Sequence, residues 1–303
     1  MRPSISFFIP AYRCEATITE TIESILHTNF LPGDEIVITE DGSPDGTLAL
    51  IKTLAQQHPE IKLIQHPYNK GGGAARNTCV QNAQHSLLFC LDADNLLLPN
   101  SILPLQQQME KTKADIAAFQ ELRFFSKPSH EVDFIWKVPE ETRLVDFLGD
   151  HRNSGSSGNY LFTKESWKRA GGYPEFAGAL DAWGFGLRQM MAGCKMVALP
   201  DSGYLHRHGI ESYYVRDMKS SNMSLKALQL LIPYLDRIHP EDVEYIMGPE
   251  GRNQWYEKSA EHPIRLKGEN ETRRLAAEIH HTPSQKMGLI CRILRKLQSW
   301  FCN

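Results

Sequence analysis

No apolar stretch in this chain of 303 residues approaches the roughly 18 residues that a membrane span requires, so a transmembrane helix is not expected. An excess of positive charge is missing too. Lysine and arginine number 33 against 36 acidic residues, for a formal charge of −3, and no basic run has the size that nucleic acid binding would need. Nucleic acid is therefore not an expected partner, and any phosphate must be held locally. The six cysteines, Cys14, Cys79, Cys90, Cys194, Cys291 and Cys302, show no Cys-x-x-Cys spacing, and several stand in apolar segments. Free thiols in a reducing compartment are expected in place of disulfides. The amino terminus runs directly into a strand pattern, which fits no secretory leader. The expected location is the cytoplasm. At 41% hydrophobic and 23% charged residues, the composition is that of a globular chain of one large or two modest domains.

What is present is an alternation of strand and helix patterns. Ile5 to Ile9 reads as a strand closed by Pro10, and Ile18, Ile22, Ile25 and Leu26 then recur at helical spacing. Glu35 to Thr39 is the next strand, followed by the turn Glu40 to Gly46 and a helix with Leu48, Ile51, Leu54 and Ala55 inward. Ile61 to Ile64 is a third strand. A glycine run, Gly71 to Gly73, opens a helix through Ala74, Ala75, Cys79 and Ala83, which leads to a fourth strand, Leu87 to Leu91. Short βα repeats of this kind predict right-handed crossovers and a parallel sheet covered by helices on both faces.

The fourth strand is apolar without alternation, which suits a central strand buried on both sides. Asp92 and Asp94 follow it at once. Extended backbone puts them on one face beyond the carboxyl end of the strand, where open α/β sheets bind ligands. Two carboxylates there repel each other unless a cation compensates them, and a divalent ion bridging to a diphosphate does so. Alternatively, Asp94 or Asn95 caps the next helix. Asp41, in the turn after the second strand, is a candidate for a base imide or ribose hydroxyl, although Ser43 or Asp45 capping the helix at Thr47 explains part of that turn. The glycine run offers amides, a helix amino terminus and the Arg76 guanidinium to a diphosphate. Its position after the third strand and its spacing differ from a dinucleotide Gly-x-Gly-x-x-Gly, which argues against a Rossmann dehydrogenase.

Four segments in order, Ile9-Pro10-Ala11-Tyr12-Arg13, Glu40 to Thr47, Asn69 to Asn77 and Leu91-Asp92-Ala93-Asp94, resemble the successive motifs of family 2 glycosyltransferases with the GT-A fold. The resemblance implies an α/β, Rossmann-like, mostly parallel sheet with helices on both faces. It implies an inverting enzyme that takes a sugar from a nucleotide diphosphate, usually uridine diphosphate (UDP). It also implies roles: Pro10, Tyr12 and Asp41 around the base, Lys70 and Arg76 near the nucleotide or diphosphate, Asp92 on ribose or metal, and Asp94 on metal. The metal would be Mn2+ or Mg2+. Glu40 stands where the family has an aspartate more often, and Arg13 where asparagine is common.

The second half carries the acceptor side. Residues 115 to 136 read as strands with a charged loop. Residues 149 to 159 read as too flexible for the core, either a substrate loop or a surface connection. Tyr160 to Pro174 again resembles the family, where a Gly-Gly-Tyr turn precedes an acidic catalytic segment. Here that segment is Leu180 to Arg188, with its usual pair of acids reduced to one, and Asp181 is the candidate general base. The family's base commonly lies six residues before the arginine, a count that lands on Ala182, so Glu175 or a histidine of the 206–208 pair stands next in line. Many relatives supply a late histidine to the metal; His206 and His208 are the candidates, unless both are plain loop histidines.

From Ser224 a helical stripe of Leu225, Leu228, Leu231, Ile232 and Leu235 ends at Pro240, and 251 to 286 is polar and uninformative. Met287 to Phe301 has the pattern of a basic amphipathic helix, suited to an anionic membrane surface presenting a lipid-linked acceptor, or to docking on its own domain or a partner chain. The expected division is a glycosyltransferase domain over 1–215, with a nucleotide half (1–100) and an acceptor half (101–215), and a helical extension over 216–303. The rival reading is a protein of the same fold that binds nucleotide or carbohydrate without turnover.

Overall fold

The computed structural model describes residues 3–27, 29–149, 153–209 and 213–267. Strands β1 (Ile5–Ala11), β2 (Glu35–Glu40), β3 (Ile61–Gln65) and β4 (Leu87–Cys90) alternate with helices α1 (Ile18–Leu26), α2 (Thr47–Gln57) and α3 (Gly72–Asn82). They pair in parallel in the order β3-β2-β1-β4, as the βα periodicity predicts. β1 runs through Pro10 to Ala11, so the proline does not end it. The ladder to β4 stops at Phe8, and beyond that point β1 pairs with β2 alone, which leaves room for a residue without an amide hydrogen. α3 has small residues on every side and is buried nearly all round, from Gly73 through Val80.

Helix α4 (Ile102–Thr112) leads to the long strand β5 (Ile116–Phe125), and β6 (Val132–Lys137), β7 (Glu141–Thr142), α5 (Leu144–Gly149), β8 (Tyr160–Thr163), α6 (Lys164–Ala170), α7 (Asp181–Met191) and β9 (Met196–Arg207) follow. This half of the sheet is mixed. β8 lies antiparallel between β4 and β5, while β9 pairs in parallel along the far side of β5 and carries the two-residue β7 antiparallel on its outer edge. β8 and β6 succeed one another along the near edge of β5, at Ile116–Ala118 and Glu121–Phe125. One core lies under α1, α2 and α4 and includes Phe7, Ile9, Phe89 and Phe119; the other, under α3 and α7, includes Phe8, Cys90, Tyr160 and Phe162.

Three expectations change here. Residues 153–159 are wall and not loose connection: Asn153, Gly155, Ser157, Gly158 and Asn159 are all buried. Pro240 begins a helix and does not end one. Helix α8 (Tyr213–Ser220) is followed by α9 (Met223–Leu231), a 3-10 turn, α10 (Pro240–Met247) with its proline in the first turn, and α11 (Pro249–Gln254). The 3-10 segment shifts the stripe out of phase, so Ile232 is exposed while Leu230 is buried. Finally, the polar stretch after 251 hides anchors. Trp255, Tyr256 and Ile264 join the same core as α3, α7 and α9, and the Ile264 amide donates to the Leu148 carbonyl (2.9 Å). The described part of the extension therefore shares a core with the sheet. The amphipathic pattern at 287–301, with Cys291 and Cys302, lies outside the described residues. Cys14, Cys79, Cys90 and Cys194 are free and buried; burial raises the thiols of Cys14 to about 12 and of Cys79 and Cys194 to about 11. No helix among the described residues is long and apolar enough to cross a membrane.

Candidate functional site

The carboxyl ends of β1, β2 and β4 gather their turns along one edge of the sheet. Asp41 closes β2 and is 2% exposed. Its Oδ1 accepts the Lys70 amide (2.9 Å) and its Oδ2 the Gly71 amide (2.9 Å), while the His66 ring lies 2.6 Å from Oδ1. The carboxylate is thus spent on holding the glycine loop and is not open toward a base. Gly71 takes a φ of +93° at the entry to α3, a conformation that favours glycine. At Gly72 the reason for glycine is proximity, since a Cβ would come within 2.5 Å of Asp181 Oδ2 and 2.8 Å of Arg76 Nη1. Pro10 and Tyr12 are half-buried at the end of β1, and Lys70 is exposed with its ammonium over the Tyr68 ring. The helix at Thr47 is met by Asp45, whose Oδ1 accepts the Thr47 amide (3.2 Å).

Arg76 is the hub. Projecting from the buried α3, it donates through Nη1 to Asp181 Oδ2 and through Nη2 to Asp92 Oδ1, each at 2.6 Å. Its guanidinium is engaged by carboxylates and does not stand open for a diphosphate, and its Nε is buried without a partner among the described residues. Burial alone would lower the arginine's pKa; Asp181 and Asp92 outweigh it and hold the proton. Asn159, from the buried wall, clamps Asp92 from the other side: its Oδ1 accepts the Asp92 amide (2.7 Å) and its Nδ2 donates to Asp92 Oδ2 (2.9 Å). Both oxygens of Asp92 are therefore fixed in direction.

β9 is tied to the loop beyond Asp92. Leu96 and Leu205 exchange backbone hydrogen bonds of 3.0 and 2.9 Å, Arg207 donates its amide to Asn95 Oδ1 (3.0 Å) and its Nε to the Asp94 carbonyl (3.0 Å). This brings His206 beside the carboxylates, with its Nδ1 3.0 Å from the Tyr204 hydroxyl and 3.4 Å from Asn95 Nδ2. Burial pushes His206 down to about 4, so the ring is neutral at physiological pH. His208 is taken elsewhere, its Nε2 2.8 Å from Asp133 Oδ2 on β6.

Asp94 is the unbalanced member. Burial, and then the charge of Asp92, push its carboxyl up to about 7, and no side chain donates to it among the described residues. Asp92 and Asp181 share the guanidinium of Arg76, and the charges of Arg207 and Arg76 only partly offset the rise at Asp94, which leaves a concentration of carboxylates that a divalent cation would neutralise. Hard oxygen donors from Asp92 and Asp94 with a neutral imidazole from His206 suit Mn2+ or Mg2+. Among the described residues no three such side chains are already gathered at one point, so the donors fit the ion in kind only.

Asp181 opens α7 and is buried. Burial lifts its carboxyl above the usual range against the opposing charge of Arg76, and its Oδ1 accepts the Ala182 amide (2.6 Å). The Cβ of Ala182 lies 3.1 Å, and Oδ2 of Asp92 3.8 Å, from where a Cβ on Gly158 would stand. Glu175 is exposed, with Oε1 accepting from Asn77 Nδ2 (2.9 Å). Asn77 also accepts the Tyr173 amide and Trp167 Nε1, which seats the Gly-Gly-Tyr turn against α3. Sequence reasoning missed His66, Asn159, Tyr204 and Arg207. Only the last two carried any signal, through their place beside His206 and His208.

A parallel nucleotide-side sheet continued by a mixed half, with a paired-carboxylate turn at the end of its central strand, defines a GT-A type domain. Residues 6–170 match the Glycosyl transferase family 2 pattern, and the chain belongs to that family. It is similar to the chondroitin synthase of Escherichia coli (26% identical over 175 residues, 57% of this chain and 24% of that protein) and to the uncharacterized glycosyltransferase EpsJ of Bacillus subtilis (27% over 176 residues, 56% and 51%). The matched part thus spans about a quarter and about half of those relatives' own length. Among solved structures, S. aureus TarS 1-349 in complex with UDP-GlcNAc superposes with a TM-score of 0.63 at 16% identity, covering 86% of this chain and 74% of that one. The mannosyltransferase PcManGT from Pyrobaculum calidifontis, in complex with GDP-Man and Mn2+, gives 0.58 at 17% identity, over 97% and 81%.

Proposed function

We propose that the protein transfers a sugar from a nucleotide diphosphate, in the first instance a UDP-sugar, to a hydroxyl acceptor with inversion, in the building of a surface polysaccharide or glycolipid. The observation that carries this reading is the cluster at the end of β4: Asp92 clamped by Arg76 and Asn159, and Asp94 beside it, half-buried and with no side-chain donor among the described residues. The kinship with polysaccharide synthases and the fold shared with a UDP-GlcNAc-bound protein support the donor class.

In this reading Pro10 and Tyr12 flank the base, Lys70 approaches the nucleotide, and Asp41 acts through the glycine loop whose amides it holds. Asp92, Asp94 and His206 hold the divalent cation, which when bound neutralises the charge developing on the leaving diphosphate. His208, paired with Asp133, lies on the acceptor side. Asp181 is the general base, and Oδ1, the oxygen that Arg76 does not hold, takes the proton of the acceptor hydroxyl. A raised carboxyl pKa suits that work, because efficient bases titrate near the operating pH. Residues 286–303, with their basic amphipathic pattern, would bring the chain to an anionic membrane where a lipid-linked acceptor is presented.

The test is a screen of nucleotide sugars for manganese-dependent hydrolysis or transfer, followed by Asp181→Asn on the best donor. Wild-type turnover is expected, with the variant's transfer reduced by roughly 10² to 10⁴ and its nucleotide affinity retained. Tight nucleotide binding with no turnover of any donor would favour a binding protein of the same fold; transfer within a few-fold of wild type in the variant would move the base to another residue.

A further inference from the structure

β6 presents an apolar face that the core does not use. Phe134 and Trp136, two residues apart and therefore on one face, are 42% and 41% exposed, on a strand whose every residue is exposed. On an enzyme surface, a cluster of exposed aromatics of this kind marks a binding site.

The register shows where the face leads. Phe134 pairs with Phe124 of β5, and Phe124 pairs with His206 of β9; one step along, Trp136 pairs with Leu122, and Leu122 with Tyr204. Two cross-strand rows therefore run from the exposed aromatics of β6 to the residues that meet Asn95 and Asn159 at the carboxylate cluster. The rings touch along the way. Phe124 stacks on Phe134 (centroids 4.5 Å apart, planes at 11°) and lies 4.6 Å from both Trp136 and His206. Phe124 is itself buried, so it backs Phe134 and Trp136 and fixes their outward faces. Polar groups line the rim: Asp133 Oδ2 takes both the Ser126 hydroxyl (2.7 Å) and His208 Nε2 (2.8 Å), which leaves Oδ1 without a partner among the described residues.

We infer that Phe134 and Trp136 form the stacking platform for the acceptor saccharide. The inference rests on the transfer reaction proposed above. A pyranose ring has one face of C–H groups and a rim of hydroxyls, so it lies flat on an aromatic ring while its rim reaches hydrogen-bond acceptors such as Asp133 Oδ1. Rings already held in place by Phe124 lose little freedom on binding. From β6 to β9 is two strand spacings, roughly 10 Å, about the reach of a disaccharide. An acceptor whose inner sugars lie on Trp136 and Phe134 thus extends its terminal hydroxyl past His206 toward the donor. A lone apolar edge would suit a second copy equally well, but this face is continuous with the carboxylate cluster, and the strand carries Asp133 and Lys137, charges that discourage edge-to-edge pairing.

The experiment uses the full chain and its Trp136→Ala and Phe134→Ala variants. Calorimetry with UDP and Mn2+ comes first: binding by the wild type secures the donor reading, and its absence would overturn that reading whatever the platform does. Fluorescently labelled protein, saturated with UDP and Mn2+, is then applied to an array of mono- to tetrasaccharides fixed through their reducing ends. Expected is wild-type binding that favours di- to tetrasaccharides, and at least a tenfold weakening in both variants at unchanged UDP affinity and melting temperature. Saccharide binding equal in all three proteins, or no saccharide bound by a wild type that holds UDP, would overturn the platform. Light scattering separates the other occupant: a wild-type dimer that Trp136→Ala dissociates without loss of saccharide binding would assign the face to a second copy and overturn the inference.

Discussion

At the residue scale, the site depends on side chains whose oxygens and nitrogens are already directed. Asn159 fixes Asp92 through both its amide and its carboxylate, so Asn159→Ala should weaken metal-dependent UDP binding by roughly 10- to 100-fold, the usual cost of losing a partner that orients a metal ligand. Calorimetry checks this, and unchanged affinity would show that Arg76 suffices to orient Asp92. The sequence made Asp92 and Asp94 legible because their spacing and their place after a strand are local facts. It hid Asn159, which lies in a run of glycine and serine that reads as loop and meets Asp92 only after β8 inserts beside β4. It also hid the commitments of Arg76 and Asp41. A guanidinium after a glycine run looks free for phosphate, and only tertiary structure brings Asp181 to it across 105 positions of chain.

At the element scale, Asp217 on α8 joins the segments around the start of α7. Its carboxylate accepts the Ala179 amide (2.8 Å), Lys226 of α9 (2.6 Å) and the Ser221 hydroxyl (2.8 Å). Burial would raise its pKa, but these donors outweigh burial and hold it below the ordinary carboxylate range. Stabilisation from a depressed carboxylate is present above the unfolded pKa of about 4 and disappears as pH falls through the lower folded value. Asp217→Asn should therefore cost about 1–2 kcal/mol at pH 7, the pair being partly screened by solvent, and the gap should close as the pH is lowered through the folded value. Denaturant titrations at several pH values read this directly; a pH-independent difference would assign the loss to packing. None of this was visible in sequence, because α8 buries no residue fully and the partners of Asp217 come from other segments. The 3-10 turn before α10 was equally hidden, because it breaks the phase of the leucine stripe.

At the scale of the whole molecule, the parallel half was readable since each βα unit announces itself within some thirty residues, whereas the mixed half was not, because its strand order β4-β8-β5-β9 is set by distant partners. The anchors of the extension, Trp255, Tyr256 and Ile264, were hidden for the same reason. Trp255 lies 1% exposed in the core that also holds α7, with Nε1 donating to the His262 carbonyl (3.1 Å), so Trp255→Ala should cost about 3–5 kcal/mol and lower the melting temperature of the whole domain in one transition. A separate, early transition would mean that the extension unfolds alone. The central claim of the proposed function is that Asp94, half-buried and with its carboxyl raised beside Asp92, holds the catalytic cation, and calorimetric titration of UDP in the presence of Mn2+ tests it most directly. The account requires tight binding by the wild type that vanishes on chelation, and its loss in Asp94→Ala at an unchanged melting temperature of the metal-free protein; equal, manganese-independent affinity in both proteins would contradict it.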